Sequence, residues 1–457
     1  MASKKTGKKA VRRVRRRKNK NRNLFVLSLT VVLAAGSLAM LGYSAVMKGL
    51  DAGRNKSAEK VPMVVDFSGI GQQDSQSGQG QTDASTDGTA GEGAGIETGV
   101  SGQSFPSAEE EMLSEDERLF SEAVQKGEEV YLVNCMDSER VTFAFAGDIL
   151  LDDEYAMMFH YRTRGSDIND TFSADLLERM RSADVFMLNN EFPFSARGTP
   201  TEGKTFTFRA NPANVDMYEL LGVDIVSLAN NHAYDYGEEA LLDTFATLEN
   251  AGIPYVGAGR NIEEARKPVY FIANGIKIAV VSATQIERNA VPDTKEATAA
   301  SAGVLRCMDP AALLEVIAEA KENSDFVILY IHWGTESQAA TDWLQDKQAP
   351  VYAQAGVDLI MGDHPHCLQK LDSESGVPVV YSLGNYWFNS KTQNTCLVEV
   401  GIRKEGMEYL RFIPCRQENC RTRELEGAER DEVLDYMRGL SPRVQIDSEG
   451  YVTFGNS

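Results

Sequence analysis

Apolar runs of strand length alternate with amphipathic stretches of helix length from residue 141 onward. The apolar runs are 141–148, 184–191, 223–232, 325–334 and 357–366. The predicted helices between them are 173–182, 214–222, 237–252, 310–323 and 342–356, and Gly222, Gly252 and Gly356 stand at expected C-caps. Strands without polar alternation, separated by helices, predict an α/β fold whose sheet is covered on both faces.

Further elements flank this series. An Asn274-Gly275 turn predicts a hairpin over 269–283, and more strands are predicted at 378–382 and 395–414. A helix over 428–440 and a strand pair over 443–454 end the chain, while 109–126 forms an amphipathic helix with Ser107 as its N-cap. The pattern predicts a mixed sheet or a two-sheet α/β sandwich.

The N-terminal part has a different pattern. Leu24–Met47 carries no charge, and 24 helical residues at about 1.5 Å each can span a hydrocarbon core of about 30 Å. Residues 1–48 hold 13 basic residues and no acidic one. The positive-inside rule therefore predicts a single-pass cell-membrane protein with a cytoplasmic basic segment and an extracytoplasmic C-terminal domain. Cleavage of the apolar segment near Ser44-Ala45 is the alternative, which we consider less favoured because the segment is long for a signal peptide.

We predict six successive parts of the chain. They are a basic cytoplasmic segment (1–23), a transmembrane signal anchor (24–47), a flexible Gly/Ser/Gln-rich linker (48–107), an N-terminal helix and strand (108–140), the main α/β domain (141–415) and a C-terminal helix with strands (416–457).

Composition excludes several classes of function. The chain has 457 residues, 25% of them charged, and a net charge of −21, which argues against wholesale disorder and a multi-span membrane protein. Outside residues 1–48 the net charge is −34. A domain this acidic is a poor ligand for nucleic-acid phosphates, so no nucleic-acid partner is predicted. The six cysteines match no zinc motif, and whether Cys415 and Cys420 pair stays open.

Polar residues gather where the predicted strands end. If the strands are parallel, their carboxyl ends meet at one edge of the sheet, where α/β proteins place their sites. Four of the five histidines occur at these ends. The candidate ligands and proton carriers are Asp148, Glu191, Asn231, His232, Asp235, His332, His364 and His366. Such mixed oxygen and nitrogen donors suit one or two divalent ions of Mn, Fe or Zn.

Each of these residues also has a structural interpretation. A lone aspartate after a strand is commonly a cap or turn residue, and Asn-Asn-His or His-Pro-His can be an ordinary turn. The coincidence at the ends of five strands favours the metal site over these separate explanations.

Six motifs in this order resemble the CapA-type poly-γ-glutamate capsule synthesis family, also called PgsA. They are GDILL (147–151), NNEFPF (189–194), SLANNHAYDYG (227–237), IHWGTE (331–336), MGDHPHCLQ (361–369) and YSLGNYWF (381–388). The resemblance covers about residues 141–414. It implies a fold similar to the calcineurin-like metallophosphoesterases, an α/β/β/α sandwich.

The resemblance implies a role for each candidate. Asp148 and His366 would bind one metal ion; Asn231, His332 and His364 would bind a second; and Glu191 would bridge the two. His232, oriented by Asp235, would assist the leaving group, while Arg209 would hold a substrate oxygen. Asn230 and Asn385 would support the ligands. This chain differs from the phosphoesterases in two motifs. Their first motif is Asp-x-His, whereas here Asp148 is followed by Ile149 and no histidine. Their second motif carries Asp, whereas this chain has Glu191 at that place.

Three functions remain open. The first is a membrane-anchored component of poly-γ-glutamate capsule production or export, working with membrane-bound ligase or export subunits on an anionic polymer. The second is a metal-dependent phosphoesterase or amide hydrolase that acts on another envelope substrate. The third is an envelope scaffold without catalysis. The first function would need a cationic rim around the site that binds the polymer. Candidates for this rim are Arg162, Arg164, Lys204, Arg209 and Arg288.

Overall fold

Two eight-stranded sheets lie at the centre of the protein in a computed structural model, which describes residues 13–14, 113–286 and 294–455. The helices are α1 (Glu115–Lys126), α2 (Ala156–Thr163), α3 (Ala174–Ser182), α4 (Asp216–Leu221), α5 (Gly237–Ala251), α6 (Ile262–Ala265), α7 (Ala311–Asn323), α8 (Trp343–Ala355) and α9 (Gly427–Leu440). Short 3-10 helices cover Ile168–Asp170 and Pro212–Val215.

The strands of the first half of the chain are β1 (Arg13–Val14), β2 (Glu129–Val133), β3 (Val141–Ile149), β4 (Val185–Asn190), β5 (Ile225–Ser227), β6 (Tyr255–Val256), β7 (Ala258–Gly259), β8 (Val269–Ala273) and β9 (Ile276–Thr284). The remaining strands are β10 (Gly303–Val304), β11 (Phe326–His332), β12 (Leu359–Asp363), β13 (Leu371–Glu374), β14 (Val377–Val380), β15 (Asn385–Trp387), β16 (Gln393–Arg403), β17 (Gly406–Glu418), β18 (Arg421–Glu424), β19 (Val444–Ile446) and β20 (Val452–Phe454).

Both sheets are mixed. Sheet A has the order β1-β2-β8-β9-β11-β12-β14-β13, and β9, β11, β12 and β14 run parallel in it. Sheet B has the order β18-β17-β16-β3-β4-β5-β6, with β15 also paired to β3. Strands β3 to β6 are parallel, and β16 to β18 extend the sheet in antiparallel fashion. The mixed α/β architecture predicted from the sequence is therefore confirmed.

Three apolar layers hold the elements together. The inner faces of the two sheets share one core, in which Phe143 and Met187 of sheet B join Ile328 and Met361 of sheet A. The outer face of sheet B is covered by helices α2 to α5 and that of sheet A by α7 and α8, each through its own cluster of buried side chains. The parallel strands β4, β5, β9, β11 and β12 are thus buried on both faces, which explains their lack of polar alternation.

Most predicted boundaries agree within a few residues. The glycines at 222, 252 and 356 have left-handed backbone at the ends of α4, α5 and α8, and β8 and β9 form the predicted hairpin. Residues from 416 onward continue sheet B, because β17 runs through residue 415 without a break.

Two predicted boundaries are wrong. Helix α1 begins at Glu115 rather than at 109, because Ser114 and Glu117 form a reciprocal capping box at its N-terminus. The N-cap is therefore Ser114 and not Ser107. Strand β5 ends at Ser227 rather than at 232, because the following residues turn back on themselves: the Asn230 amide N–H donates to the Leu228 carbonyl at 3.0 Å.

The predicted anchor at 24–47, the linker at 48–107 and the rim candidate Arg288 lie outside the described residues. In the ranges 113–286 and 294–455, no helix is long and apolar enough to cross a membrane. Strand β1 pairs in parallel with β2 and lies at the edge of sheet A.

Candidate metal centre

The carboxyl ends of strands from both sheets bring the candidate ligands together. Asp148 lies near the end of β3, Glu191 directly follows β4, and His332 ends β11. His364 and His366 follow β12 in the next loop. Side-chain atoms of these residues form two overlapping groups within 4.8 Å, namely Asp148 with Glu191 and His366, and Glu191 with His332 and His364. Glu191 belongs to both groups.

Asp148 is held from two sides. His366 Nδ1 lies 3.0 Å from Asp148 Oδ2, and the Asn189 side-chain amide donates to Asp148 Oδ1 at 2.9 Å. Burial by itself raises the pKa of Asp148, but the hydrogen bond and charge of His366 outweigh it, so the net pKa is lowered. The same contact raises the pKa of His366 against the effect of its own burial. The two groups therefore form a buried ion pair when no metal is bound.

His332 is at the centre of the second group. Its Nδ1 lies 2.9 Å from Asp363 Oδ1, and an ionised Asp363, which only accepts, holds the imidazole proton on Nδ1. Nε2 of His332 then presents a lone pair toward Asn231 Oδ1 at 2.7 Å and His364 Nδ1 at 3.0 Å. Burial lowers the pKa of His332 to about 3, which keeps this ring neutral. Lone pairs that converge in this way are the arrangement a cation stabilises.

Glu191 is the most unusual group in the site. It is fully buried, and among the described residues no group donates a hydrogen bond to either of its carboxylate oxygens. Oε1 lies 3.6 Å from His332 Nε2 and 3.9 Å from His232 Nε2. Burial and then the charge of Asp148 raise the pKa of Glu191 well above its ordinary value. A buried carboxylate without a donor costs stability unless a cation completes its surroundings.

The two histidines after β12 have strained backbone. His364 and His366 have φ angles of 93° and 57°, in the left-handed region that side chains with a Cβ rarely adopt. The intervening Pro365 accepts a hydrogen bond from the Ser337 backbone at 2.8 Å, which fixes the loop in place. Strained non-glycine residues cluster at functional sites, where the fold holds them against relaxation.

His232 stands beside the two groups and has a carboxylate partner. Its Nδ1 lies 2.6 Å from Asp235 Oδ2, so the proton is on Nδ1 and Nε2 faces the Glu191 carboxylate. Burial lowers the pKa of His232 and outweighs the opposite effect of Asp235. The ring is neutral and has a fixed orientation.

Two phenylalanines line this side of the site. The ring of Phe208 packs against His232 with a centroid distance of 4.3 Å, and that of Phe388 stacks on His366 at 5.0 Å. The two phenylalanine rings contact each other edge-on at 5.4 Å. They form an apolar wall against one side of each imidazole.

Two residues were expected to support the ligands, Asn230 and Asn385. Asn230 donates to Asn189 Oδ1 at 2.9 Å and accepts from the His232 backbone at 3.0 Å, which ties β4 to the turn after β5. The Asn385 amide donates to Gln393 at 3.2 Å, and its Oδ1 is buried with no donor among the described residues.

Arg209 is not in contact with the ligand groups in the described structure. Its guanidinium stacks over the Tyr236 ring at 4.2 Å and donates to the Arg197 carbonyl at 3.1 Å. Arg162 pairs with Asp153 at 2.6 Å, and Arg164 donates to the Asn419 carbonyl at 2.7 Å. Lys204 is buried rather than part of a rim.

Sequence reasoning missed two residues of the centre. Asp363 orients His332, and its second oxygen has no donor among the described residues. Burial and the charge of Asp148 raise the pKa of Asp363 well above its ordinary value. Asn189 links Asp148 to Asn230. Both residues stand at strand ends within the six family motifs, and this position indicated a place near the site. The direction of their side chains cannot be seen in a linear sequence. Cys415 and Cys420 are not joined by a disulfide.

The donor set fits divalent metal. Three buried carboxylates, Asp148, Glu191 and Asp363, lie with imidazoles and an amide oxygen, a mixture preferred by Mn, Fe and Zn. The unsatisfied oxygens of Glu191 and Asp363 are typical of a cation-binding site rather than of a closed hydrogen-bond network. The buried His, Asp and Glu groups could therefore hold a metal ion.

Comparison with known proteins gives a consistent result. Residues 142–390 match the family described as bacterial capsule synthesis protein PGA_cap. A capsule biosynthesis protein CapA of Bacillus anthracis is 29% identical over 306 residues, which are 64% of this chain and 71% of that protein.

Two further relatives are similar over shorter lengths. The PGA biosynthesis protein CapA of Bacillus subtilis is 30% identical over 239 residues, covering 51% of this chain and 62% of that protein. A probable polyglutamine synthesis accessory protein of Mycobacterium tuberculosis is 30% identical over 211 residues, 45% of this chain and 55% of that protein. The chain thus spans less than two thirds of these two relatives.

Proposed function

Because the chain belongs to the bacterial capsule synthesis protein family PGA_cap, we propose that it is an extracytoplasmic, membrane-anchored protein of poly-γ-glutamate capsule production or export, with a metal-dependent hydrolytic centre. The names of its relatives connect them to capsule, PGA and polyglutamine synthesis, and these names motivate the choice of polymer. The buried Glu191 without a hydrogen-bond donor is the observation that carries the hydrolytic part of the proposal.

In this proposal, Asp148 and His366 hold one divalent ion, and Asn231, His332 and His364 hold another. Glu191 reaches both groups, as its place in both clusters allows. Asp363 keeps the proton of His332 on Nδ1, which leaves Nε2 available as a ligand atom. Bound divalent metal would supply Lewis-acid polarisation of a phosphoryl or acyl oxygen and a lowered pKa of water.

The residues of the chain itself would carry the proton and exclude water. His232, held by Asp235, faces the centre with the lone pair of Nε2, where it can accept a proton from the attacking water and then give that proton to the leaving group. The wall of Phe208 and Phe388 limits water on that side, which strengthens the electrostatic interactions inside.

The fold is consistent with hydrolysis. Two face-to-face sheets with helices outside, and ligands at strand ends of both sheets, are similar to the arrangement of calcineurin-like metallophosphoesterases. The chain lacks the histidine that opens the phosphoesterase motif, since Asp148 is followed by Ile149 and Leu150. An amide of the polymer is therefore our preferred substrate bond, and a phosphoester is the second candidate, favoured by this likeness of fold.

The first experiment measures metal and turnover together. Full-length protein purified in detergent is stripped with chelator, reloaded with Mn²⁺, Fe²⁺ or Zn²⁺, and incubated with γ-linked glutamate oligomers and with a generic phosphodiester. We expect metal in stoichiometric amount and cleavage of the glutamate oligomer. Cleavage of the phosphodiester alone would support the second candidate instead.

A double variant, His332→Ala with His366→Ala, separates an active centre from a scaffold. We expect it to fold, since the apolar layers are untouched, and to retain no metal. If wild type binds metal yet hydrolyses neither compound, the hydrolytic proposal is wrong for those substrates. If wild type binds no metal at all, the protein is a scaffold.

The location is tested on intact cells. The proposed anchor at 24–47 places residues 113–455 outside the membrane, where added protease reaches them without lysis. This topology excludes the pairing of β1 with β2 in the inserted protein, because residues 13–14 would then lie on the cytoplasmic side. Protection of the domain until lysis would overturn the proposed location.

A further inference from the structure

Lys204 occupies an unusual place beside the centre. Its side chain is only 6% exposed, although it comes from an irregular loop between β4 and α4. The ammonium lies 2.5 Å from Asp235 Oδ1 and also donates to the backbone carbonyl of Asn231. One cation therefore contacts both the partner of His232 and the main chain of a candidate metal ligand.

Asp235 is the point at which these contacts meet. Its Oδ2 accepts from His232 Nδ1 at 2.6 Å and from the Phe208 backbone at 2.7 Å, while Oδ1 receives Lys204. Its own carbonyl accepts from the Thr201 backbone at 2.8 Å. The carboxylate is fully buried, and a buried charge in such a place requires a partner. Lys204 is that partner, and it approaches from the side opposite to His232.

We propose that Lys204 is a positioning residue for His232, acting through Asp235 and through the main chain of Asn231. With Oδ1 held by the ammonium, the only orientation left to the carboxylate aims Oδ2 at His232 Nδ1. The imidazole is thereby fixed with its proton on Nδ1 and with Nε2 toward Glu191. The hydrogen bond from Lys204 to the Asn231 carbonyl also fixes the backbone of the residue next to His232.

This inference rests on the proposed function for its catalytic meaning, but its structural part can be measured without turnover. The chain contains five histidines, so [¹⁵N]histidine labelling of the full-length, metal-free protein gives five imidazole spectra that report the tautomer of each ring. The His232 signals are identified by their loss in His232→Asn.

Lys204→Met removes the charge and keeps the length of the side chain. We expect the single Nδ1–H tautomer of His232 to become a mixture, while the other four histidines keep their spectra. Lys277→Met is the matched control. Lys277 is also a buried lysine, only 8% exposed; it lies on the β8–β9 hairpin and pairs with Glu128. Its substitution should leave His232 unchanged.

Two outcomes overturn the proposal. An unchanged His232 spectrum in a folded Lys204→Met protein means that the lysine only neutralises charge. An equal change in Lys277→Met means that the effect is not specific to this contact. Should Lys204→Met fail to fold, Lys204→Leu takes its place, since its shorter apolar side chain also provides no donor for Asp235; a mixed tautomer supports the proposal and a single one contradicts it.

Turnover adds a separate measurement where wild type is active. At saturating metal, we expect Lys204→Met to lower kcat at least about tenfold with little change in KM, a part of the 10²–10⁴ that general acid–base catalysis contributes. The double variant with Asp235→Asn should be no slower than Asp235→Asn alone. An inactive wild type with a single His232 tautomer contradicts the proposed function but leaves the positioning contact supported.

Discussion

At the scale of single residues, Glu191 is a candidate metal ligand whose burial without a hydrogen-bond donor lowers the stability of the metal-free fold. Glu191→Gln replaces a buried carboxylate that has no donor by a neutral amide of the same shape. We expect the metal-free variant to be more stable than wild type by about 1–3 kcal/mol, the usual penalty of an unsatisfied buried group. Addition of Mn²⁺ should raise the Tm of wild type and not that of the variant.

The matched control is Glu128→Gln. Glu128 is almost as buried, but it pairs with Lys277, so its substitution leaves an unpaired cation and should lower stability. Opposite signs for the two variants in chelator-treated protein, measured by urea unfolding, are expected. A loss of stability in Glu191→Gln would contradict the interpretation of Glu191 as a metal ligand.

The raised pKa of Glu191 gives this comparison a pH dependence. In the unfolded chain the carboxyl titrates near its ordinary value of 4.5, whereas in the folded, metal-free chain its pKa is raised by burial and by Asp148. Its contribution to stability is therefore complete below pH 4.5 and is lost as the pH rises through the raised pKa. The stability gain of Glu191→Gln should be larger at pH 8 than at pH 5.

Unfolding of both metal-free proteins at the two pH values measures that difference. The unfolding free energy of wild type is subtracted from that of the variant at each pH. This difference cancels the contributions of the other groups that titrate in the same pH range. A gain that is equal at both values would mean that Glu191 titrates normally in the folded state.

At the scale of elements, a close approach of β3 to the chain before β15 builds the first ligand group. A Cβ on Gly147 would lie 2.0 Å from the carbonyl oxygen of Gly384, which shows how tightly β3 meets the chain before β15. The neighbours of these two glycines are Asp148 and Asn385, which are paired in register. The spacing of the site therefore depends on the absence of a side chain at residue 147.

Gly147→Ala should consequently separate β3 from β15. We expect a loss of roughly 1–3 kcal/mol from overpacking and a lower affinity for Mn²⁺, measured by thermal unfolding and calorimetric titration. Gly439→Ala in α9 is the control, because a Cβ there meets nothing within 4 Å and alanine favours helix by up to about 1 kcal/mol. Normal metal affinity in folded Gly147→Ala would contradict this account.

The elements also show what a linear pattern can predict. Strands such as β11 and β12 were predictable because burial on both faces leaves an uninterrupted apolar run. The assignment of β3–β6 to one sheet and of β9, β11, β12 and β14 to another could not be predicted, because periodicity reports burial and not pairing. The candidate ligands were predicted from their place at strand ends, whereas Asp363 and Lys204 act through side-chain directions that only the folded chain has.

At the scale of the whole molecule, the acidity of the domain affects how it meets a polymer. Outside residues 1–48 the chain has a net charge of −34, so a polyanion is repelled at long range and must be bound locally. We expect the rate of association with poly-γ-glutamate to increase when monovalent salt is raised from about 0.05 to 0.3 M, because screening shortens the repulsion. Binding should also require divalent metal.

Association kinetics on immobilised polymer, with the full-length protein in detergent, measure both effects. Most proteins that bind polyanions through basic patches show the opposite dependence on salt. A rate that falls with salt would reveal a cationic surface that the net charge does not predict.

The position of β16 has a consequence for where this domain can be cut. The family match ends at residue 390, yet β16, which begins at Gln393, is the strand that covers the edge of β3 along residues 141–145. A fragment that ended with the family match would expose that edge of the first ligand-bearing strand to solvent and to strands of other chains. Recombinant fragments designed for expression should therefore extend past residue 403, or they will tend to aggregate through β3.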